Sequence, residues 1–148
     1  MFGKIKRVGK NISKLNQNKL FGDILSSESM KAQIIDLNQQ QMEEKGLDAA
    51  GVSLGEYSYN TIHGTSQYEG KIAKGQRYDH VTLKDTGAFY DSMRVIRGTE
   101  AVAIVGTMEE SVRKQWPDAL GLISDSRAEI IPEVREELVE KIITQALK

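Results

Sequence analysis

Asp85, Thr86 and Gly87, followed by the small residue Ala88, form the one tripeptide in this chain whose order suggests a reaction. A D-T-G turn can present a carboxylate for acid–base proteolysis, but that chemistry needs two aspartates sharing one proton. A single such motif supplies the pair only in a homodimer. Three features oppose that reading. Lys84 stands where an apolar residue normally precedes the aspartate, and only a short hairpin separates Gly87 from the next apolar-apolar-glycine, Ile104-Val105-Gly106. The flap and long β-rich body of a protease are missing as well. A turn accounts for the same residues without a reaction: Asp85 or Thr86 caps an orphan amide and Gly87 permits the bend.

Little else could carry chemistry. The absence of cysteine excludes disulfides, thiolate nucleophiles and thiolate zinc sites. His63 and His80 lie outside any metal-ligand spacing and read as surface or loop residues. The glycines at 46, 51, 55, 64, 70 and 75 fit neither phosphate-loop pattern, and no serine sits in G-x-S-x-G. Glu43-Glu44 and Glu136-Glu137 read as solvated helix faces. The expectation is a protein with no catalytic residue, cofactor or metal, and not an enzyme.

The elements that position these residues are legible in the periodicity. Phe2, Ile5, Val8, Ile12 and Leu15 share one side of a helical wheel, with Lys6, Arg7, Lys10 and Lys14 on the other. This predicts a basic amphipathic amino-terminal arm over residues 1–22, with Lys6, Lys10 and Lys14 as candidate partner contacts. It packs on its own domain or meets an acidic protein, nucleic acid or lipid. Gly3 and Gly9 weaken it as an isolated helix, so it needs a surface to order it.

A second helix is predicted with Ser27 as cap, Glu28 in its first turn and Gly46 as a left-handed stop. Met30, Ile34, Ile35, Leu37 and Met42 form its core stripe, opposite a polar face. Residues 47–76 then turn rich in Gly, Ser, Asn and Tyr without a sustained period, which predicts a long interaction loop. Its candidate contacts are Tyr57, Tyr59 and Tyr68, amphipathic side chains of the kind enriched at interfaces.

Beyond the loop, Tyr78 to Leu83 reads as a short strand and Ala88 to Ser92 as a helical turn capped by Asp85 or Thr86. Met93 to Ile96 and Ala101 to Val105 form a hairpin joined by Arg97, Gly98, Thr99 and Glu100. A short segment at Glu109 to Gln115 ends at Trp116-Pro117. The closing helix carries Ile131, Val134, Leu138, Ile142 and Ala146 on one face, with Pro132 in its first turn. The fold class is therefore α+β, with helices at both ends packed on a small antiparallel sheet. At 148 residues, 39% hydrophobic and 28% charged, the chain is sized for one domain, 1–148, with a core of its own. No run approaches the roughly 20 apolar residues of a membrane span, and the start lacks the apolar stretch of a secretory signal.

The run Val81-Thr82-Leu83-Lys84-Asp85-Thr86-Gly87-Ala88-Phe89-Tyr90-Asp91-Ser92, followed by a hairpin and Gly106, resembles the virion-morphogenesis or tail-completion proteins of tailed bacteriophages. There a leucine, a Thr-Gly turn, an apolar residue and a serine precede the first strand of a hairpin. The stretch from Gly46-Leu47-Asp48 to Ser53-Leu54-Gly55-Glu56-Tyr57-Ser58 is similar to the segment that opens their long loop. The likeness spans Gly46 to Gly106. It implies a long helix on a small antiparallel sheet, a closing helix and extended loops. It also implies a non-enzymatic subunit of a ring at the neck, the head-to-tail connector, made in the host cytoplasm and carried in the virion. The partners it implies are copies of the chain itself and portal, connector or tail proteins, with no membrane. The basic arm and tyrosine-rich loop depart from the family and leave open which joint the protein occupies. The alternative is a nucleic-acid or acidic-protein binding module led by the arm. The rest of the chain is net acidic and lacks an aromatic-and-basic stacking surface, which disfavours direct nucleic-acid contact.

Overall fold

In a computed structural model the protein is described over residues 2–99 and 101–148, without the Phe2 side chain. The expected roles of Phe2 on the arm's apolar face and Glu100 in the hairpin link lie outside the described residues. In chain order the elements are α1 (Phe2–Ser13), α2 (Gln17–Leu25), α3 (Glu28–Lys45), α4 (Tyr59–His63), α5 (Ala88–Asp91), β1 (Arg94–Arg97), β2 (Val102–Val105), α6 (Glu110–Gln115) and α7 (Ser124–Ala146). Seven helices and one two-stranded antiparallel sheet among the described residues make the fold α+β.

α3 is set at both ends as its sequence dictates. The Ser27 hydroxyl accepts from the Met30 amide at 3.4 Å, and Gly46 closes the helix at φ 61°, its amide bonded to the Gln41 and Met42 carbonyls. Apolar side chains of α2, α3, β1 and α7 meet in one cluster: Ile24, Met30, Ile34, Leu37, Val95 and Val134, with Ile130 beside them. Burial of each such side chain contributes about 1.5–3 kcal/mol. A second cluster, Met42, Leu54, Val81, Tyr90, Met93 and Ala119, lies under the loop and the α5 turn. Arg94 to Arg97 pair with Val105 to Val102, an alternation that sends Val95 into the first cluster.

The two clusters meet along a buried polar seam on α3. Asn38 and Gln41, polar residues on the same side of α3 as its apolar stripe, are 0% and 1% exposed. Asn38 Nδ2 donates to the Ala119 and Gly121 carbonyls at 3.3 and 3.0 Å, and its Oδ1 accepts from the Gly121 amide. Gln41 Nε2 donates to the Asp48 and Gly121 carbonyls at 2.9 and 3.1 Å. Its Oε1 accepts from the Ile123 amide at 2.9 Å and the Ser126 hydroxyl at 3.3 Å. These side chains satisfy backbone groups of two irregular segments that no ladder serves.

Three expectations are corrected. The arm does not run to residue 22: Asn16 caps α2 by accepting from the Lys19 amide, and Leu20 and Ile24 are buried. Its short length and flanking polar residues hid that helix. Tyr78 to Leu83 is not a strand. It pairs with the loop through a single described backbone bond, Val81 N–H to the Gly55 carbonyl at 2.8 Å, so no ladder forms. α7 begins at Ser124, which puts Pro132 in the helix interior on the solvent side rather than in the first turn. The buried face of α7 accordingly runs through Ile130, Val134 and Ala146, and Ile131 is exposed. His80 is a partly buried loop residue, as expected of it. It packs beside Gly46 and its Nε2 meets the Glu43 carbonyl at 2.9 Å.

Candidate functional site

The 47–76 segment is folded, not loose. Leu47 and Ser53 bridge, Ser58 caps α4 by accepting from the Thr61 amide, and Gly64 bridges Glu69. A Cβ on Gly70 would lie 2.2 Å from the Gly64 amide nitrogen, so only glycine admits this crossing. The chain then returns along the cleft that contains the D-T-G turn. Tyr57, Tyr68, Lys71, Lys74, Asp85 and Trp116 are among the residues lining this cleft of about 560 Å³.

Gly87 adopts φ 89°, the positive angle the turn requires, and Thr86 Oγ1 accepts from the Ala88 amide at 3.2 Å. Asp85 does not cap. Its carboxylate pairs with Lys74 Nζ at 3.1 Å, and its carbonyl accepts from Gln76 Nε2 at 2.6 Å. The Lys74 ammonium holds the Asp85 carboxyl below the usual carboxylate range. In a protease dyad this carboxylate would face its twin; here it faces a lysine.

The floor of the cleft is organised by two tyrosines and a buried lysine. Tyr57 is half-buried; its hydroxyl accepts from the Thr82 amide at 2.9 Å and lies 3.0 Å from the Thr82 hydroxyl. Tyr90 donates to the Thr82 carbonyl at 2.6 Å, and burial pushes its phenol well above the ordinary value, with Glu43 adding to the shift. Lys71 is buried without a carboxylate partner among the described residues. Its ammonium instead donates to the Lys84 carbonyl at 3.0 Å and Gln76 Oε1 at 3.2 Å, and lies 4.5 Å from the centre of the Tyr57 ring. Lys84 pairs with Glu43 at 2.9 Å and closes this side onto α3. Trp116 Nε1 donates to the Leu54 carbonyl at 2.8 Å. The result is a cleft in which the polar groups named here are paired within the fold.

The candidate contact residues fall into three places. Tyr57 and Tyr68 meet the Asp85-Thr86-Gly87 turn at the cleft, Tyr57 as a pin within the fold and Tyr68 exposed at the rim. Tyr59 is 73% exposed at the start of α4, its ring stacked on His63 at 4.2 Å. Lys6, Lys10 and Lys14 stand apart on and just past α1, all exposed. α1 packs on α7, and Asn11 Nδ2 donates to the Ala146 carbonyl at 3.1 Å. Its half-buried residues are Val8 and Asn11, which leaves Ile5 62% and Ile12 43% exposed at the edge of the contact.

Sequence reasoning missed an apolar groove of about 870 Å³ between α2, β2 and α7, lined by Phe21, Leu25, Ile104, Ile131 and Leu138. Exposed Ile131, beside the buried Ile130, was its one visible signal. Among the described residues no cluster of His, Cys, Asp or Glu could hold a metal ion, and no helix is long and apolar enough to cross a membrane. The chain matches no protein-family model, and neither the curated proteins nor the solved structures contain one significantly similar to it.

Proposed function

We propose that this chain is a structural subunit of a tailed-bacteriophage particle, assembling into a ring at the neck that joins head to tail. The observation that carries the reading is the apolar surface left uncovered on helices that also build the domain. Ile5 and Ile12 on α1, Phe21 on α2, and Val139, Ile143 and Leu147 at the end of α7 are all exposed. Large apolar side chains left exposed on each of three helices support a role against neighbours. The order of elements adds support: a long α3, a folded loop, a Thr-Gly turn with positive φ at Gly87, a short helix and a hairpin. That is the order on which the resemblance to tail-completion proteins rests. Portal, connector or tail proteins are the partners this reading names, with the protein carried in the virion.

Depleting the chain during infection tests the proposal. Filled heads without attached tails are expected, with the chain present in wild-type particles. Intact tailed particles that lack it contradict the reading. The cations of α1, in no ion pair among the described residues, favour a second reading, binding to an acidic protein or nucleic acid, which predicts salt-sensitive retention of DNA by the isolated chain.

A further inference from the structure

β2 has a partner strand on one side only, because the sheet is two-stranded and Arg94 to Arg97 pair with Val105 to Val102. The Gly98 amide donates to the Ala101 carbonyl at 2.7 Å, which fixes the alternation of the ladder. Ala101, Ala103 and Val105 turn their backbone groups toward β1, and Val102 and Ile104 turn theirs away from it. No described backbone bond takes these outward groups up. This open edge lies on the apolar groove of about 870 Å³ between α2, β2 and α7. Among the described residues lining the groove the charged ones are Arg127 and Arg135, both exposed on α7. Neither is in an ion pair among the described residues. Arg127 Nη2 donates to Ser124 Oγ at 3.4 Å, and the positions three and four residues to either side of each arginine hold no acid.

We infer that β2 is a receiving edge, which takes an extended acidic segment of another protein as a third strand, its apolar side chains on the groove and its carboxylates on Arg127 and Arg135. Strand addition follows from Val102 and Ile104: a helix laid in the groove would cover their backbone groups without bonding them, whereas an added strand pairs with both. The acidic character follows from the two arginines. They stand eight residues apart, about 12 Å along α7, a distance that about four residues of extended chain cover. Side chains four apart on a strand share a face, so one face can carry both carboxylates while the other meets the groove. A second copy supplies no such strand: β2 is Val-Ala-Ile-Val without an acid, and β1 carries arginines at both ends. The inference does not rest on the neck reading, since an added strand needs the open edge and the arginines and not a ring.

Titration of the full chain with a fluorescein-labelled peptide tests it. The probe is about ten residues of valine alternating with threonine, with glutamate replacing two threonines about four residues apart. Binding with a Kd of roughly 1–100 µM is expected. Arg127→Glu/Arg135→Glu should weaken it at least about tenfold with unchanged urea unfolding, and high salt should weaken it in wild type. By nuclear magnetic resonance, the peptide should slow hydrogen exchange at the Val102 and Ile104 amides more than at Ala103 and Val105, which already bond to β1. No binding up to about 1 mM, or equal binding of a peptide with lysine in place of glutamate, overturns the inference. Binding without protection at Val102 and Ile104 also overturns it, in favour of a helical occupant. Protection of these amides in the free chain that grows with its concentration overturns it in favour of a second copy. The neck reading is decided separately, by the presence or absence of the chain in particles.

Discussion

Replacing Gln41 by methionine keeps the length and volume of the side chain but removes every hydrogen bond it makes. The Ile123 amide, which donates to Gln41 Oε1 at 2.9 Å, loses its partner inside the fold, as does the buried Ser126 hydroxyl, which donates to the same oxygen at 3.3 Å; the Asp48 carbonyl keeps the Gly51 amide at 3.0 Å. The Gly121 carbonyl keeps Asn38 Nδ2 at 3.0 Å and should suffer little. A buried amide donor left unsatisfied costs about 1–3 kcal/mol, and the Ser126 hydroxyl, which can rotate, adds up to about 1 kcal/mol more. The expected loss is therefore about 2–4 kcal/mol, or roughly 5–15 °C in Tm for a chain of this size. Urea unfolding followed by circular dichroism reads it directly, with Gln40→Met on the exposed side of α3 as the control, expected within about 0.5 kcal/mol of wild type. If Gln41→Met matches that control, α3 does not hold residues 48 and 121–123 in the manner described, and the positioning of the loop has to be explained otherwise.

The turn at the cleft separates two substitutions. Gly87→Val forces a β-branched residue to φ 89° and should cost at least about 1–3 kcal/mol in urea, whereas Asp85→Asn removes only an exposed ion pair and should shift stability by less than about 1 kcal/mol. Any pepstatin-sensitive peptidase activity lost in Asp85→Asn would contradict a structural role for Asp85. Acid should weaken the fold in a defined window. Asp23, held low by Arg97 and Lys19, and Asp85, held low by Lys74, bind fewer protons folded than unfolded. Their contribution is complete above the ordinary carboxylate value of 3.8 and lost as pH falls through their lower folded values, so chemical denaturation should show declining stability below about pH 4. Tyr90 acts at the other end of the scale. Followed by absorbance at 295 nm, Tyr90 should ionise only with unfolding; its raised folded value means stability falls as pH rises above 10.

Elements with strong local signals were legible in the sequence. Ser27 and Gly46 mark both ends of α3, and the Gly98 link between two β-prone runs marks the hairpin. α2 was not, because a nine-residue helix with only Leu20 and Ile24 buried carries too short a period to stand out from the basic segment before it. The Tyr78 to Leu83 segment has strand-like composition, but a strand needs a partner edge and the topology supplies none, a fact no local window contains. At the candidate site, the Thr86-Gly87 bend was readable from residue type. The Lys74–Asp85 pair was not, since eleven residues and an intervening reversal of the chain separate its members. Asn38 and Gln41 sit on α3 among polar neighbours and differ from Gln40 only in what folds over them.

Negative-stain imaging of the purified chain, alone and added to particles that lack it, bears most directly on the claim that this is a ring-forming neck subunit. Closed rings at high protein concentration, and rings of the same diameter capping filled heads, are the predicted result. A chain that remains monomeric in solution and binds neither heads nor tails would contradict the account.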